Sequence, residues 1–309
     1  MDFSMMLAEI RGAAAHPGKV PRYARRRLRE TFLWKRRYAR LRGPKTTVLP
    51  QSDEIDRQLI LELRQAGLGP LDYQLDLEDY RAYLRAAGYN RFPGYYRGGR
   101  SRDFPSKAVQ HYLAARLLAL ESGDTYIDVA SADSPTPEIY RSIYGCRAYR
   151  QDLAYPEGVH GDRIGGSAVA MPVADGFATK LGLHCSFEHF EGAADIEFIR
   201  EAARVLKPGG KVCIIPLYLY PTYTIVTDPV ALPRTGIAFE PDAVLYCWKG
   251  YGNRHGRLYS VAKLVSRIAK NLHGMTLTLY FLSNRQRIAP NCNVRFVALL
   301  EKKSTPPSE

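Results

Sequence analysis

Apolar residues recur at spacings of three and four over residues 53–65 and 77–87, which predicts two helices. The second opens on DLEDYRAYLRAAGY. Residues 88–104, GYNRFPGYYRGGRSRDF, break the pattern as a Tyr-, Gly- and Arg-rich loop. Pro105 suits the first turn of a helix, and SKAVQHYLAARLLAL predicts one that closes at Ser122-Gly123, with Gly123 as its cap. From Asp124 the rhythm changes to short apolar runs separated by amphipathic ones. It predicts strands at 125–130, 147–151, 180–186 and 211–217, with a helix at 192–206. Pro208-Gly209-Gly210 turns the chain into KVCIIPLYL. A helix over 259–272 follows, and MTLTLYFL and VRFVALLEK form two last strands. The fold class is therefore α/β, a doubly wound and mostly parallel sheet with a helical N-terminal extension.

The domain plan follows the same breaks. Residues 1–50 form a basic arm, 51–122 a helical extension and 123–303 the α/β domain, interrupted by an insert at about 217–258. The tail, 304–309, reads as disordered. No internal repeat is visible.

Of the 309 residues, 46% are hydrophobic and 24% charged, a globular balance. Five scattered cysteines without a CxxC pair argue against a disulfide framework or a zinc cluster. No metal site is expected, and a cytoplasmic location is. No run of 18 apolar residues predicts a membrane span, and the first residues do not read as a signal peptide.

Charge changes the picture more. The net +13 is concentrated between Lys19 and Lys45, where twelve Lys or Arg face one acid, Glu30, and so supply +11 of it. Within this arm Ala24, Leu28, Thr31, Trp34, Tyr38 and Leu41 recur at helical spacing. Three readings stay open: a helix on an anionic inner membrane surface with Trp34 and Tyr38 at headgroup level, a phosphate-contacting nucleic-acid arm, or a helix packed on the domain by its stripe.

The stretch TYIDVASADSP, residues 125–135, carries the candidate chemistry. A buried strand ends in Asp128 and runs into small residues. A ligand lying against such a loop usually meets glycines, which reach positive φ and carry no Cβ; here there are none. A turn without a ligand is the alternative.

Residues 184–216 read HCSFEHFEGAADIEFIREAARVLKPGGKVCIIP. A strand ends near EHF, a helix closes on RVLKPGG, and another strand begins. This pattern resembles the class I S-adenosylmethionine-dependent methyltransferases, in particular a large bacterial group. IGGSAVAMPVADGF upstream resembles the same group, and the likeness covers residues 105 to 217. It implies a sheet that ends in a helix and an antiparallel strand pair, and S-adenosylmethionine as cofactor. Asp128 then takes the family's first acidic position, and Ala130, Ala132 and Ser134 stand in its three glycine positions around Ser131. Asp152 takes the ribose-binding position, and a carboxylate suits a vicinal diol. Ser167-Ala168 matches the adenine-binding dipeptide, with Met171 against the ring; serine there lacks the usual charge.

A hydroxyl acceptor also needs a general base. His184, Glu188 and His189 are the candidates, with the histidines ahead; the alternative is a hydrogen-bonded structural signature. The insert, rich in tyrosine and ending in GNRHGRLYS, offers Trp248, Arg254, His255 and Arg257 to an acceptor, or packs as a lid. The expected function is methyl transfer to a small-molecule, sugar or lipid-linked acceptor, at oxygen. A nucleic-acid methyltransferase and a non-catalytic scaffold are the rivals.

Overall fold

The computed structural model describes residues 22–232, 239–290 and 292–304. The residues up to 21, which bear on the signal-peptide reading and begin the arm, lie outside them, as does the tail 305–309. The chain divides into two units, one of residues up to 49 with 226–254, the other of 50–225 with 255–309.

In the first unit a helix spans Arg22–Arg40. Trp34 and Tyr38 stack at 5.1 Å between ring centroids and are half-buried. Arg37 donates to the carbonyls of Val230 and Leu232 at 2.9 and 2.7 Å. Lys45 caps the helix end through the carbonyls of Tyr38 and Leu41. Lys45–Thr46 then pairs in parallel with Val244–Cys247. Within this unit Arg37 and Thr31 tie the helix to the insert, and Trp34 and Tyr38 are half-buried. Ala24 and Leu28 have side chains outside the description.

The second unit holds a nine-stranded sheet. Its strands are β1 (Leu71–Tyr73), β2 (Thr125–Val129), β3 (Arg147–Asp152), β4 (Gly158–His160), β5 (Arg163–Gly165), β6 (Ala178–His184), β7 (Leu206–Leu217), β8 (Met275–Leu282) and β9 (Phe296–Lys302). The order across the sheet is β1-β8-β9-β7-β6-β2-β3-β5-β4. The centre from β7 to β5 is parallel, and β9 runs antiparallel to both β7 and β8. The closing antiparallel pair is the one the resemblance implies.

Helices cover both faces. On one lie α1 (Asp53–Gln65), α5 (Ala194–Val205) and α6 (Val261–Arg267); on the other α2 (Leu77–Ala87), α3 (Phe104–Leu118) and α4 (Thr136–Tyr144). Period-two alternation along β2 divides the core: Ile127 and Val129 join the first layer, Tyr126 the second. The helix α3 ends earlier than its sequence suggests. Ala119, not Gly123, caps it in a left-handed conformation at φ 50°. The burial of Leu118 and Leu120 on either side holds the turn there.

A buried ion cluster fixes α5. Asp195 is fully buried and accepts from Tyr259 Oη at 2.6 Å and Arg267 Nε at 2.8 Å, with Arg257 at 3.0 Å. Arg257, also fully buried, donates to the carbonyls of Phe190 and Gly192 and to Tyr223 Oη. Removing one member strands the others' charge in the interior. Asp195→Asn is expected to lower unfolding stability by about 3–5 kcal/mol, read as a reduced urea midpoint with an unchanged slope.

Candidate functional site

The site is built where β2 and β6 end side by side, a place where open α/β sheets bind ligands. After Asp128 and Val129 the chain enters the glycine-free loop. Ala130 and Ala132 both adopt left-handed backbone, at φ 51° and 46°. These are two of the three glycine positions, so the loop keeps the glycine conformation without glycine.

The end of β3 holds it there. Gln151 Oε1 accepts from the Ala130 amide at 3.1 Å, and the Gln151 carbonyl from the Ser131 amide at 3.0 Å. Asp152 Oδ2 accepts from the Ala132 amide at 2.8 Å, while Tyr155 Oη donates to the Ala132 carbonyl at 2.5 Å. From the other side Ser186 Oγ donates to the Val129 carbonyl at 3.2 Å.

Beside the loop is a cavity of about 580 Å³, within the usual range for a small-molecule site. Its walls include the loop residues 130–135, Asp128, His184 and Cys185. Phe92, Tyr95 and Tyr96 contribute aromatic surface, and Lys107, Glu138 and Arg150 contribute charge. Tyr96 and Arg97 are themselves left-handed, at φ 45° and 55°. Lys107 donates to the His184 carbonyl at 3.1 Å. Arg150 and Glu138 form an ion pair.

Two buried polar groups meet at the cavity. Asp128 is 1% exposed, and its Oδ2 has no hydrogen-bond partner. Tyr126 Oη lies 3.4 Å from its Oδ1 and 3.0 Å from His184 Nε2. The Nδ1 of His184 is likewise unpartnered. Beneath them His111, fully buried, takes Tyr89 Oη on Nδ1, with Tyr95 Oη and Thr136 Oγ1 on Nε2.

Burial pushes the Asp128 carboxyl up to about 7, although Ser134, Lys107 and Tyr126 pull it down. Burial, helped by Lys107, pushes His184 down to about 3. Both groups are therefore neutral in mildly acid solution, as burial in a low dielectric demands.

The sequence-selected residues divide between several places. Asp128, Ala130, Ser131, Ala132 and His184 line the cavity together. Asp152 sits behind the loop, its Oδ1 accepting from the Ala154 amide at 2.9 Å. Ser167 turns its hydroxyl to the Val169 amide; Ala168 and Met171 lie in the core, the Met171 amide on Glu201 Oε1. Glu188 is buried with its carboxyl pushed up by that burial. His189 is anchored through Nδ1 to the His255 carbonyl at 2.6 Å. Arg257 is locked in the Asp195 cluster, which leaves its guanidinium no surface to offer an acceptor. Trp248, half-exposed and stacked on Tyr251 at 5.4 Å, and Arg254 belong to the first unit. His255, almost fully buried, belongs to the second.

Lys107, Tyr95, Arg150 and Gln151 were not singled out in the sequence. Lys107 lies in the first turn of α3, which also carries Gln110, His111 and Arg116, so nothing local sets it apart. Arg150 stands directly beside Asp128 in the register of β2 and β3, a placement that only the folded sheet reveals. Among the described residues, no group of three or more His, Cys, Asp or Glu is arranged to hold a metal ion.

No family model and no curated protein matches this chain. Solved structures resemble it at low identity. The 1,6-didemethyltoxoflavin-N1-methyltransferase of Burkholderia thailandensis is 12% identical with a TM-score of 0.46, over 77% of this chain and 95% of that one. The geranyl diphosphate C-methyltransferase of Streptomyces coelicolor is 14% identical at 0.41, over 83% and 98%. A putative methyltransferase of Haloferax volcanii, in complex with the Trm112 activator, is 13% identical at 0.42, over 75% and 99%. The order β5-β3-β2-β6-β7-β9-β8, in which β9 alone is reversed, decides the architecture. The fold is that of the class I methyltransferases.

Left-handed alanine costs about 1–2 kcal/mol. Ala130→Gly and Ala132→Gly are each expected to raise stability in urea by about 0.5–1 kcal/mol, part of the relief being lost to the freer unfolded chain.

The buried pair gives a second test, with opposite signs. Folded Asp128 keeps a proton that the unfolded carboxyl releases near 3.9, so its contribution is full below about pH 4 and is lost as pH rises towards 7. Unfolded His184 takes a proton near 6.5 that the folded residue refuses, so its contribution is full above about pH 6.5 and is lost as pH falls towards 3. Between pH 4 and 6.5, Asp128→Asn should steepen the rise of stability with pH relative to the parent. His184→Gln should flatten or reverse it, each by about 3 kcal/mol across the window. Urea unfolding at fixed pH values measures both.

Proposed function

We propose that this chain is an S-adenosylmethionine-dependent methyltransferase acting on a small-molecule or lipid-linked acceptor. The left-handed backbone at Ala130 and Ala132 carries the reading, because both strained alanines line one cavity, and strained backbone clusters at ligand sites. Asp152, behind the loop and outside the cavity's walls, is the residue we assign to the cofactor's ribose. A carboxylate offers about four acceptor positions, and the two amide bonds it accepts leave room for two hydroxyls. Those same amide bonds hold it in place, so little reorganisation accompanies binding.

When bound, the cofactor supplies an electrophilic methyl group, and the protein's work is chiefly to position the acceptor against it. Phe92, Tyr95 and Tyr96 give the acceptor an apolar wall that excludes water. Lys107 supplies a cation beside the loop. Asp128 is the proton acceptor that best suits an oxygen nucleophile near neutral pH, since a base works best when its pKa lies near the operating pH. His184, held neutral, orients Tyr126 and through it Asp128.

A second reading has a specific observation behind it. Ala168 and Met171 lie in the core and do not line the cavity, which favours a non-catalytic methyltransferase-like scaffold that does not hold the cofactor. Calorimetric titration with S-adenosylmethionine and S-adenosylhomocysteine separates the two. Micromolar binding, weakened at least tenfold by Asp152→Ala in a protein that still folds, is the expected outcome. An absence of heat with a folded protein would remove the enzyme reading.

A further inference from the structure

The helix Arg22–Arg40 has two faces with different fates. Its inward cations are spent: Arg37 on backbone carbonyls, Lys45 just beyond it on the helix end. The opposite face is made of Arg29, Phe32, Lys35, Arg36, Ala39 and Arg40, all exposed. At about 100° per residue these positions fall within less than half the circumference. Phe32 lies at the middle of the face and is 68% exposed. Trp34 and Tyr38, which the sequence offered as headgroup anchors, are on the other side.

We propose that this outward face docks on an anionic lipid surface, with Phe32 entering the headgroup layer among its four cations. Interfacial helices combine these two elements, an aromatic that reaches the acyl boundary and basic side chains that hold the lipid phosphates. Charge complementarity orients the encounter, because the region around this helix carries +11 of the chain's +13 and the remainder is nearly neutral. A nucleic acid is the less suited occupant. Single strands are held in grooves lined by several aromatics, and this face is the convex side of one helix with a single ring. The proposal is independent of the cofactor reading.

The test is co-sedimentation of the full chain with vesicles of phosphatidylcholine alone and of phosphatidylcholine with phosphatidylserine. Retention is expected only with phosphatidylserine, and it should fall as salt rises. Arg36→Gln and Arg40→Gln should each weaken it about fivefold, the factor for one surface cation. Phe32→Ser should weaken it at high and low salt alike. All three positions are exposed, so circular dichroism should match the parent. Equal retention on both vesicles would overturn the proposal, as would indifference to the charge variants. Capture of a single-stranded RNA oligomer at a salt concentration that releases the vesicles would also overturn it, in favour of nucleic acid.

Discussion

The grip of β3 on the loop after β2 is the constraint on which the site depends. Glycine would adopt left-handed backbone at little cost; alanine does not. Two alanines in that region survive only if surrounding bonds leave them no alternative. Gln151 and Asp152 supply those bonds from adjacent residues of one strand, so the parallel pairing of β2 and β3 sets the loop's shape. Tyr155 closes the arrangement by holding the Ala132 carbonyl. The small side chains at 130 and 132 then matter as much as the backbone, because anything larger would fill the space a ligand needs. Strain held in this way is pre-organisation: the loop need not be ordered when a ligand arrives.

The same end of the sheet gathers its buried polar groups. Asp128 and His184 are brought together because β2 and β6 are neighbours and both stop at the same level. Neither group can hold its charge cheaply there, and each shifts towards its neutral form. A buried polar atom without a partner is costly, and two such atoms belong to residues that line the cavity.

Most strands and helices of the second unit were legible from their apolar patterns, but the helix α4 and the three-residue strand β1 were not among the elements the sequence predicted. Asp53–Gln65 and Leu77–Ala87 stand where the pattern put them. The chain between β3 and β5 was not legible, since a three-residue hairpin such as Gly158–His160 with Arg163–Gly165 has too few positions to show a period. The cap at Ala119 misled for a related reason. Propensity favoured Gly123, and burial of the neighbouring leucines overrode it. In the site, Asp128 and the loop could be read from local sequence. Lys107 and Arg150 could not, because their place beside Asp128 comes from tertiary contacts that no spacing records.

The insert's tolerance follows from how its ends are tied. Tyr220 donates its amide to the Tyr259 carbonyl, and Tyr259 donates to Tyr218, both at 2.9 Å. The chain thus leaves and returns at one point, and a loop with closed ends can lengthen at small entropic cost. Arg257, fully buried two residues before Tyr259, fixes the return to Asp195 at the start of α5. With both ends held by the sheet domain's own bonds, residues 226–254 are free to join the basic arm in a separate unit.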